Sequence, residues 1–163
     1  MNSLTAASGA APDAFGGTLA SDVLTKGSIY ADPAQVAFTL ALKDPGSTNS
    51  PTGPTTTNFI TVTRYRVDFV RSDGRNTPGV DVPYGFDGAA TGSVTDEGGT
   101  LTFTLVRVQA KIEAPLVALT GGGGAGVIST IAQVTFYGAD QAGRPVSVMG
   151  KISVNFADWA DPK

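Results

Sequence analysis

Two long runs of alternating side chains constrain the fold more than any other feature of the sequence. Residues 128–137 and 146–156 place apolar side chains at every second position. Because successive side chains of a β-strand point to opposite faces, each run predicts a strand with one face for a core. Residues 138–145 between them contain Gly, Asp and Pro and predict a turn. The rest of the chain must therefore cover the apolar face of this hairpin.

Shorter strand candidates occur earlier in the chain, separated by Gly, Pro, Asn and Asp. Residues 36–43 and 100–108 have the same period of two. Residues 18–30 predict a weaker strand around Leu19, Val23 and Leu24, and residues 89–94 predict a short one. In residues 59–71 the apolar positions change phase, which predicts a β-bulge near Thr63–Arg64. Residues 47–58 predict a long loop. Residues 110–119 have partly helical spacing, but Pro115 limits any helix there.

Seven or eight strand candidates separated by turns are typical of a sandwich or barrel. We therefore expect an all-β fold, an antiparallel two-sheet immunoglobulin-like β-sandwich. Residues 1–17 are rich in Ala, Gly and Ser and predict a flexible N-terminal tether, with residues 18–163 forming the single domain. The predicted core contains the inward-facing residues Phe38, Leu40, Tyr65, Phe69, Leu101, Phe103, Val134, Phe136, Val148, Ile152 and Val154.

Composition excludes several classes of chemistry. The chain of 163 residues has no Cys and no His. Disulfides, Cys–His or Ser–His–Asp catalysis, and the usual ligands of zinc, copper, haem and iron–sulfur centres are therefore excluded. The net charge is −3. The chain therefore has neither the basic surface of a nucleic-acid-binding protein nor the polybasic patch of a protein that binds anionic lipid. No apolar run reaches the roughly 18–20 residues of a membrane span.

Charged residues make up only 15% of the chain, so the surface must be built largely from Thr, Ser, Gly, Asn and Gln. Such surfaces are common in secreted β proteins. The small, polar residues 1–12 look like the tether that follows a processed export signal, and a cytosolic start fits the same letters equally well. On balance we expect an extracytoplasmic protein.

Three segments carry a resemblance to known proteins. Residues 59–69, FITVTRYRVDF, look like a central strand of immunoglobulin-like and fibronectin type III-like domains. Residues 134–148 are similar to the final hairpin of bacterial immunoglobulin-like domains, and residues 155–159 to the ending of uncharacterised bacterial envelope lipoproteins. The resemblance implies a sandwich and export to the bacterial cell envelope, and it carries no catalytic residues. The chain departs from antibody-type domains because it has no Cys pair and its only Trp is Trp159.

Two places could form a ligand surface. Arg64 and Arg66 lie with Asp68 on one face of a predicted strand. They could form a ligand surface, or they could form a charge ladder with the neighbouring strand. Asp158 beside Trp159 could act in sugar binding or acid–base chemistry, since an aromatic face stacks on sugars; the alternative is a strand end with Trp folded onto the rim.

Two further motifs are weak. Calcium needs only oxygen ligands; Asp73, Asn76 and Asp81 share one loop, and Asp140 lies in a turn. EF-hand spacing is absent, so Asx-turns explain these residues more simply than a calcium site. Gly121–Gly124 leads into a strand rather than a helix, so it predicts a flexible connection and not a phosphate-binding loop.

The expected function is a non-enzymatic module of the cell envelope or of a secreted protein, acting as a scaffold, adhesive or structural subunit without a cofactor. The alternative is a carbohydrate-binding module or a weak glycoside hydrolase that uses carboxylates. Open sheet edges invite pairing with another chain. We therefore also expect a protein partner, or self-association through residues 1–24.

Overall fold

The computed structural model describes residues 2–7, 17–42, 46–53 and 57–159. Within these ranges the chain forms ten strands, one α-helix and one 3₁₀ helix (Leu116–Leu119). In chain order they are β1 Asn2–Ala7, β2 Thr18–Asp22, β3 Asp32–Leu42, β4 Gly46–Ser47, β5 Ser50–Pro51, β6 Ile60–Val70, β7 Phe86–Val94, β8 Gly99–Val106, α1 Val108–Ile112, β9 Ile128–Asp140 and β10 Pro145–Ala157. The prediction of a mostly β protein is confirmed.

Eight strands make two sheets. The main sheet has the order β2-β10-β9-β6-β7 and the smaller sheet the order β1-β3-β8, while β4 and β5 pair only with each other. The main sheet is curled and mixed, a half-barrel and not a clear immunoglobulin sandwich. The prediction of purely antiparallel pairing is wrong at one edge, where β2 runs parallel to β10. These two strands are far apart in sequence, so no tight turn forces them to be antiparallel.

The predicted hairpin is the centre of the main sheet. β9 and β10 pair in one continuous antiparallel register from Pro145↔Ala139 to Phe156↔Ile128. At the turn, the carboxylate of Asp140 accepts the backbone N–H groups of Ala142 and Arg144, both at 2.9 Å. This is the local Asx bonding that turn residues provide, so the hairpin prediction is confirmed.

The predicted β-bulge is also confirmed. In the ladders of β6 with β7 and with β9, the register shifts between Val62 and Arg64. Ile60 and Val62 are buried before the shift and Tyr65, Val67 and Phe69 after it. The extra residue therefore returns the apolar side chains of the second half of β6 to the core.

An aromatic cluster joins the two sheets, and it is centred on Phe136 of β9. The Phe136 ring lies 5.1 Å from Phe38 of β3 and 5.1 Å from Phe103 of β8. Tyr65 of β6 packs 5.2 Å from Phe103, and its hydroxyl accepts the Thr104 N–H at 3.2 Å. Edge-to-face packing of this kind adds to the burial energy.

Most of the predicted core is fully buried, and the remainder is half-buried on the same face. The fully buried members are Phe38, Tyr65, Phe69, Leu101, Phe103, Val134, Phe136 and Val154. The half-buried members are Leu40, Val148 and Ile152.

Three segments differ from the sequence prediction or refine it. The long loop 47–58 contains part of the small β4–β5 hairpin. The expected short helix is α1, which ends before Pro115, and a 3₁₀ turn follows it. Residues 2–7 of the predicted tether form β1, which pairs with β3, while residues 8–16 lie outside the described residues.

Phe136→Ala is expected to lower the free energy of unfolding by roughly 3–5 kcal/mol, because it leaves a cavity where three other rings meet. Met149→Ala is the control on the adjacent strand β10, since Met149 is exposed, and we expect a change within about 0.5 kcal/mol. Urea unfolding followed by circular dichroism measures both. Equal effects for the two variants would contradict the assigned core.

Candidate functional site

Strand directions bring the longest described connections to one end of the molecule. Strands β2, β6, β8 and β10 run towards this end, and β3, β7 and β9 start from it. We call it the loop end, and it contains residues 23–31, 71–85, 107–127 and 158–159. Connections at the end of a sheet are the usual place for binding residues, because a rigid scaffold positions them.

The loop end brings together two motifs that are distant in the sequence. The Asp158 carboxylate accepts the backbone N–H of Gly121. A Cβ atom built on Gly124 would lie 3.8 Å from Cε3 of Trp159, in ordinary van der Waals contact. The glycine run therefore lies beside the Asp158–Trp159 pair, with Gly124 next to the indole, and no helix follows it.

Asp22 fixes the chain beyond β10. One of its carboxylate oxygens accepts the Trp159 N–H at 3.0 Å, and the other accepts the Thr25 hydroxyl at 2.7 Å. Since Asp22 is the last residue of β2, the edge strand of the main sheet positions Trp159. The sequence gives no sign of this contact, because the two residues are 137 positions apart.

Large apolar side chains are concentrated at the loop end. Among the residues that the structure describes, ten large hydrophobic side chains are exposed, and eight of them lie here. These eight are Tyr30, Val80, Tyr84, Val108, Ile112, Val117, Val127 and Trp159. The other two, Phe59 and Met149, lie at the start of β6 and within β10. Single exposed apolar residues are normal, but a concentration of them marks a candidate binding surface.

A buried polar network lies next to this surface. The Lys111 side chain is only 2% exposed, and its Nζ lies 3.0 Å from Oδ2 of Asp32. The ammonium group also donates to the Asp22 carbonyl at 2.7 Å, and the buried Ser21 hydroxyl donates to Asp32 at 2.5 Å. A buried charge must be paired, so this network ties α1 to β2 and β3. Sequence reasoning missed it, and the only signal is a lysine between Ala110 and Ile112.

The predicted arginines form a charge ladder on the outer face of the main sheet. Arg66 donates to both carboxylate oxygens of Asp68 at 2.8 Å and to Asp87 at 2.9 Å. Arg64 lies 3.2 Å from Asp87, and its guanidinium sits 3.8 Å above the Tyr137 ring. Hydrogen bonding to Asp68, followed by its charge, raises the pKa of Arg66. Two arginines and two aspartates thus bind one another, which favours the ladder interpretation.

The two predicted ligand places are far apart. Arg64 pairs with Tyr137, which pairs with Ser147 of β10. From Ser147 to Asp158 the chain continues along β10, a path of roughly 36 Å of extended strand. Arg64 and Arg66 therefore lie near the start of β10, and Asp158 and Trp159 lie beyond its end, as two separate places.

In the loop considered for calcium, the side-chain oxygen atoms bind groups of the same loop. Asp73 pairs with Arg71 at 2.7 Å and Arg75 at 3.1 Å, and hydrogen bonding to Arg71 holds the pKa of Asp73 well below its usual range. Asn76 accepts the Arg71 N–H at 2.6 Å, and Asp81 accepts the Thr77 N–H at 3.2 Å. This bonding fits the Asx-turn alternative. Over the described ranges, no three His, Cys, Asp or Glu residues cluster as a metal site.

The comparisons with known proteins give no family. No protein-family model, no curated protein and no solved structure matches this chain. Within residues 2–7, 17–42, 46–53 and 57–159, none of the helices has the length and apolar character needed to cross a membrane.

Asp32→Ala is expected to lower the free energy of unfolding by roughly 3–5 kcal/mol, because it leaves the Lys111 charge buried without its counter-ion. Lys111→Met should cost less, since Asp32 keeps the Ser21 hydrogen bond and partial contact with water. The double variant should be more stable than Asp32→Ala alone, because no buried charge remains. Urea unfolding of all three variants measures this order, and the account is wrong if Asp32→Ala is the most stable of them.

Asp158→Ala is expected to release residues 121–124 from Trp159 and so increase the quenching of Trp159 fluorescence by acrylamide. Trp159 is the only Trp of the chain, so the signal is specific to the loop end. The stability loss should stay near about 1 kcal/mol, the usual contribution of one hydrogen bond. Asp96→Ala, in the turn between β7 and β8 at the opposite end, is the control. Unchanged quenching in Asp158→Ala would contradict the contact.

Proposed function

We propose that this protein is a non-enzymatic module of the bacterial cell envelope, or of a secreted protein, that acts as a scaffold, adhesive or structural subunit and binds a protein partner through the loop end. The observation that carries the proposal is the placement of eight of the ten large exposed apolar side chains of the described residues at this end. Interface cores are enriched in aromatic and apolar side chains of this kind.

The bonding below this surface supports the proposal. Asp22 and Asp158 bind backbone N–H groups of Trp159 and Gly121, and Lys111 ties α1 to β2 and β3. A surface fixed in this way loses little conformational entropy on binding, which favours affinity. Asp22, Lys111 and Asp158 are thus engaged in bonds that hold the shape of the loop end.

We also propose that the fold is related to immunoglobulin-like domains and that the protein is located outside the cytoplasm. Eight strands in two facing sheets, with long connections grouped at one end, are in keeping with an immunoglobulin-like origin. The parallel β2 and the curl of the main sheet depart from that pattern. The low fraction of charged residues, 15%, is in keeping with a secreted or envelope protein.

Carbohydrate binding is the second candidate, and the exposed indole of Trp159 next to Gly124 favours it. Trp159 is 38% exposed, and a glycine beside it leaves room for a flat ligand to approach the indole. A binding module is better supported than a glycoside hydrolase, because the Asp158 carboxylate accepts a backbone N–H and hydrolysis needs two carboxylates placed on either side of a sugar bond.

Photo-crosslinking from the loop end tests the protein-binding proposal. A photoreactive amino acid at Val117 is compared with one at Phe59, which is similarly exposed at the opposite end, in the full chain incubated with a bacterial envelope fraction. We expect protein adducts from position 117 that position 59 does not give, and Trp159→Ala should reduce them. Equal labelling at the two positions would contradict a specific surface.

A glycan array distinguishes carbohydrate binding, the second candidate, from protein binding. Binding to defined sugars that is lost in Trp159→Ala but kept in Phe59→Ala would favour the carbohydrate-binding module. The absence of such binding, together with adducts at position 117, is the result that the protein-binding proposal predicts.

A further inference from the structure

Arg107, which lies between β8 and α1, differs from the other arginines of the chain because it has no carboxylate partner. The chain has six arginines. Five of them have a side-chain nitrogen within 3.3 Å of an aspartate oxygen, namely Arg64, Arg66, Arg71, Arg75 and Arg144. Over the residues that the structure describes, the Arg107 guanidinium makes neither an ion pair nor a hydrogen bond. A guanidinium stays charged and carries several N–H donors, so Arg107 can bind an acceptor from outside.

An aromatic ring holds the Arg107 guanidinium in place. Its Cζ lies 4.8 Å from the centroid of the Phe86 ring, at the start of β7. Phe86 is buried, and its ring packs edge-on against Tyr65 of the aromatic cluster at 6.2 Å. A cation over an aromatic face is attracted by the electrons of the ring. Since the ring itself is fixed in the core, the guanidinium is positioned before any partner binds.

The nitrogen atoms of Arg107 differ in their surroundings. Nε is enclosed and has no hydrogen-bond partner, and the same is not true of the two Nη atoms. Arg107 as a whole is half-buried. A carboxylate that arrives from solvent can therefore meet the Nη groups, in the paired geometry that favours arginine. A partly buried charge without a counter-charge costs free energy, and such a carboxylate would offset that cost.

Exposed apolar side chains flank both members of this contact. Val108 follows Arg107 directly, and Tyr84 lies two residues before Phe86; both are exposed. A Cβ atom built on Gly79 would collide with the Tyr84 ring, so this ring lies against the backbone of its own loop. An arginine beside aromatic and apolar side chains is the composition of the residues that contribute most to protein–protein binding.

The charges of the loop end fit one carboxylate better than a polyanion. Arg71 and Arg75 both pair with Asp73, and Lys111 belongs to the buried network described above. A phosphate group carries about two negative charges, and a nucleic acid needs several cations. The chain itself has a net charge of −3 and repels both. A single guanidinium among apolar side chains matches an Asp or Glu side chain that has apolar neighbours.

We propose that Arg107 determines the specificity of the loop end, and that the protein partner binds the Arg107 guanidinium with an Asp or Glu side chain flanked by apolar residues. Phe86 is the positioning residue, because its ring orients the guanidinium. The inference rests on the proposed protein-binding function. The crosslinking test of that function at position 117 does not depend on charge, so the two can fail separately.

A random peptide library displayed on phage and selected on the full-length protein provides the probe. Peptides whose binding is lost in Tyr84→Ala/Val108→Ala are taken as ligands of this surface. We expect these peptides to contain Asp or Glu next to an apolar residue. One of them is synthesised with its carboxylate and again with the matching amide. Isothermal titration calorimetry then measures the Kd of both peptides for each variant, after circular dichroism has shown that the variant is folded.

Arg107→Gln is expected to weaken binding of the acidic peptide by about tenfold or more. Arg75→Gln is the control, with the same loss of charge at the same end, and should change the Kd by less than about twofold because Arg75 is already paired. The amide peptide should bind the native protein about tenfold more weakly. Arg107→Gln should weaken the amide peptide little further, because the two changes remove one contact. Arg107→Lys should recover only part of the affinity, since lysine lacks the planar fork.

Several results would overturn the inference. Peptides that need Tyr84 and Val108 but contain no acidic residue, or equal effects of Arg107→Gln on the acidic and amide peptides, would exclude the carboxylate contact while protein binding stands. A selection that gives no peptide dependent on Tyr84 and Val108 would also overturn it, and the crosslinking at position 117 then decides the proposed function alone. Binding of acidic sugars on the glycan array that is lost in Arg107→Gln would assign the carboxylate to a glycan instead.

Discussion

The packing of Phe136 against Phe38 and Phe103 is the interaction on which the rest of the structure depends. Phe136 comes from the central strand of the main sheet, and the other two rings come from the smaller sheet. This contact holds the two sheets together, so it also sets where their connections emerge. Burial of three such rings, with Tyr65 beside them, provides a stabilisation that no disulfide supplies in this chain.

The loop end depends on this packing through a second set of contacts, which are polar. Lys111 joins the segment after β8 to Asp32 at the start of β3 and to the Asp22 carbonyl at the end of β2. Asp22 in turn holds Trp159 after β10. These few hydrogen bonds and one ion pair therefore connect the two sheets and the segment that follows β8. The polar groups maintain the geometry, and the exposed apolar side chains around them form the surface that we propose binds a partner.

The parts of this arrangement that could be predicted are those whose cause is local. Alternation predicts the β9–β10 hairpin, and the phase change of apolar residues predicts the bulge after Val62, because both follow from which face of a strand is buried. The link between Lys111 and Asp32 could not be predicted, since the two residues are 79 positions apart. The parallel pairing of β2 and the ladder of β1 were missed for the same reason: each depends on a distant strand edge. Of the four predicted ligand residues, Asp158 and Trp159 are at the loop end, while Arg64 and Arg66 neutralise aspartates on the outer face.

The central claim is that the loop end is a surface fixed before any partner binds. Amide hydrogen exchange of the native protein tests it most directly, residue by residue. The account predicts slow exchange for the N–H groups of Gly121 and Trp159, which are bonded to Asp158 and Asp22, and for Val23, which is bonded to the Ala157 carbonyl at 2.9 Å. Exchange of these three amides as fast as that of an unstructured peptide would contradict it.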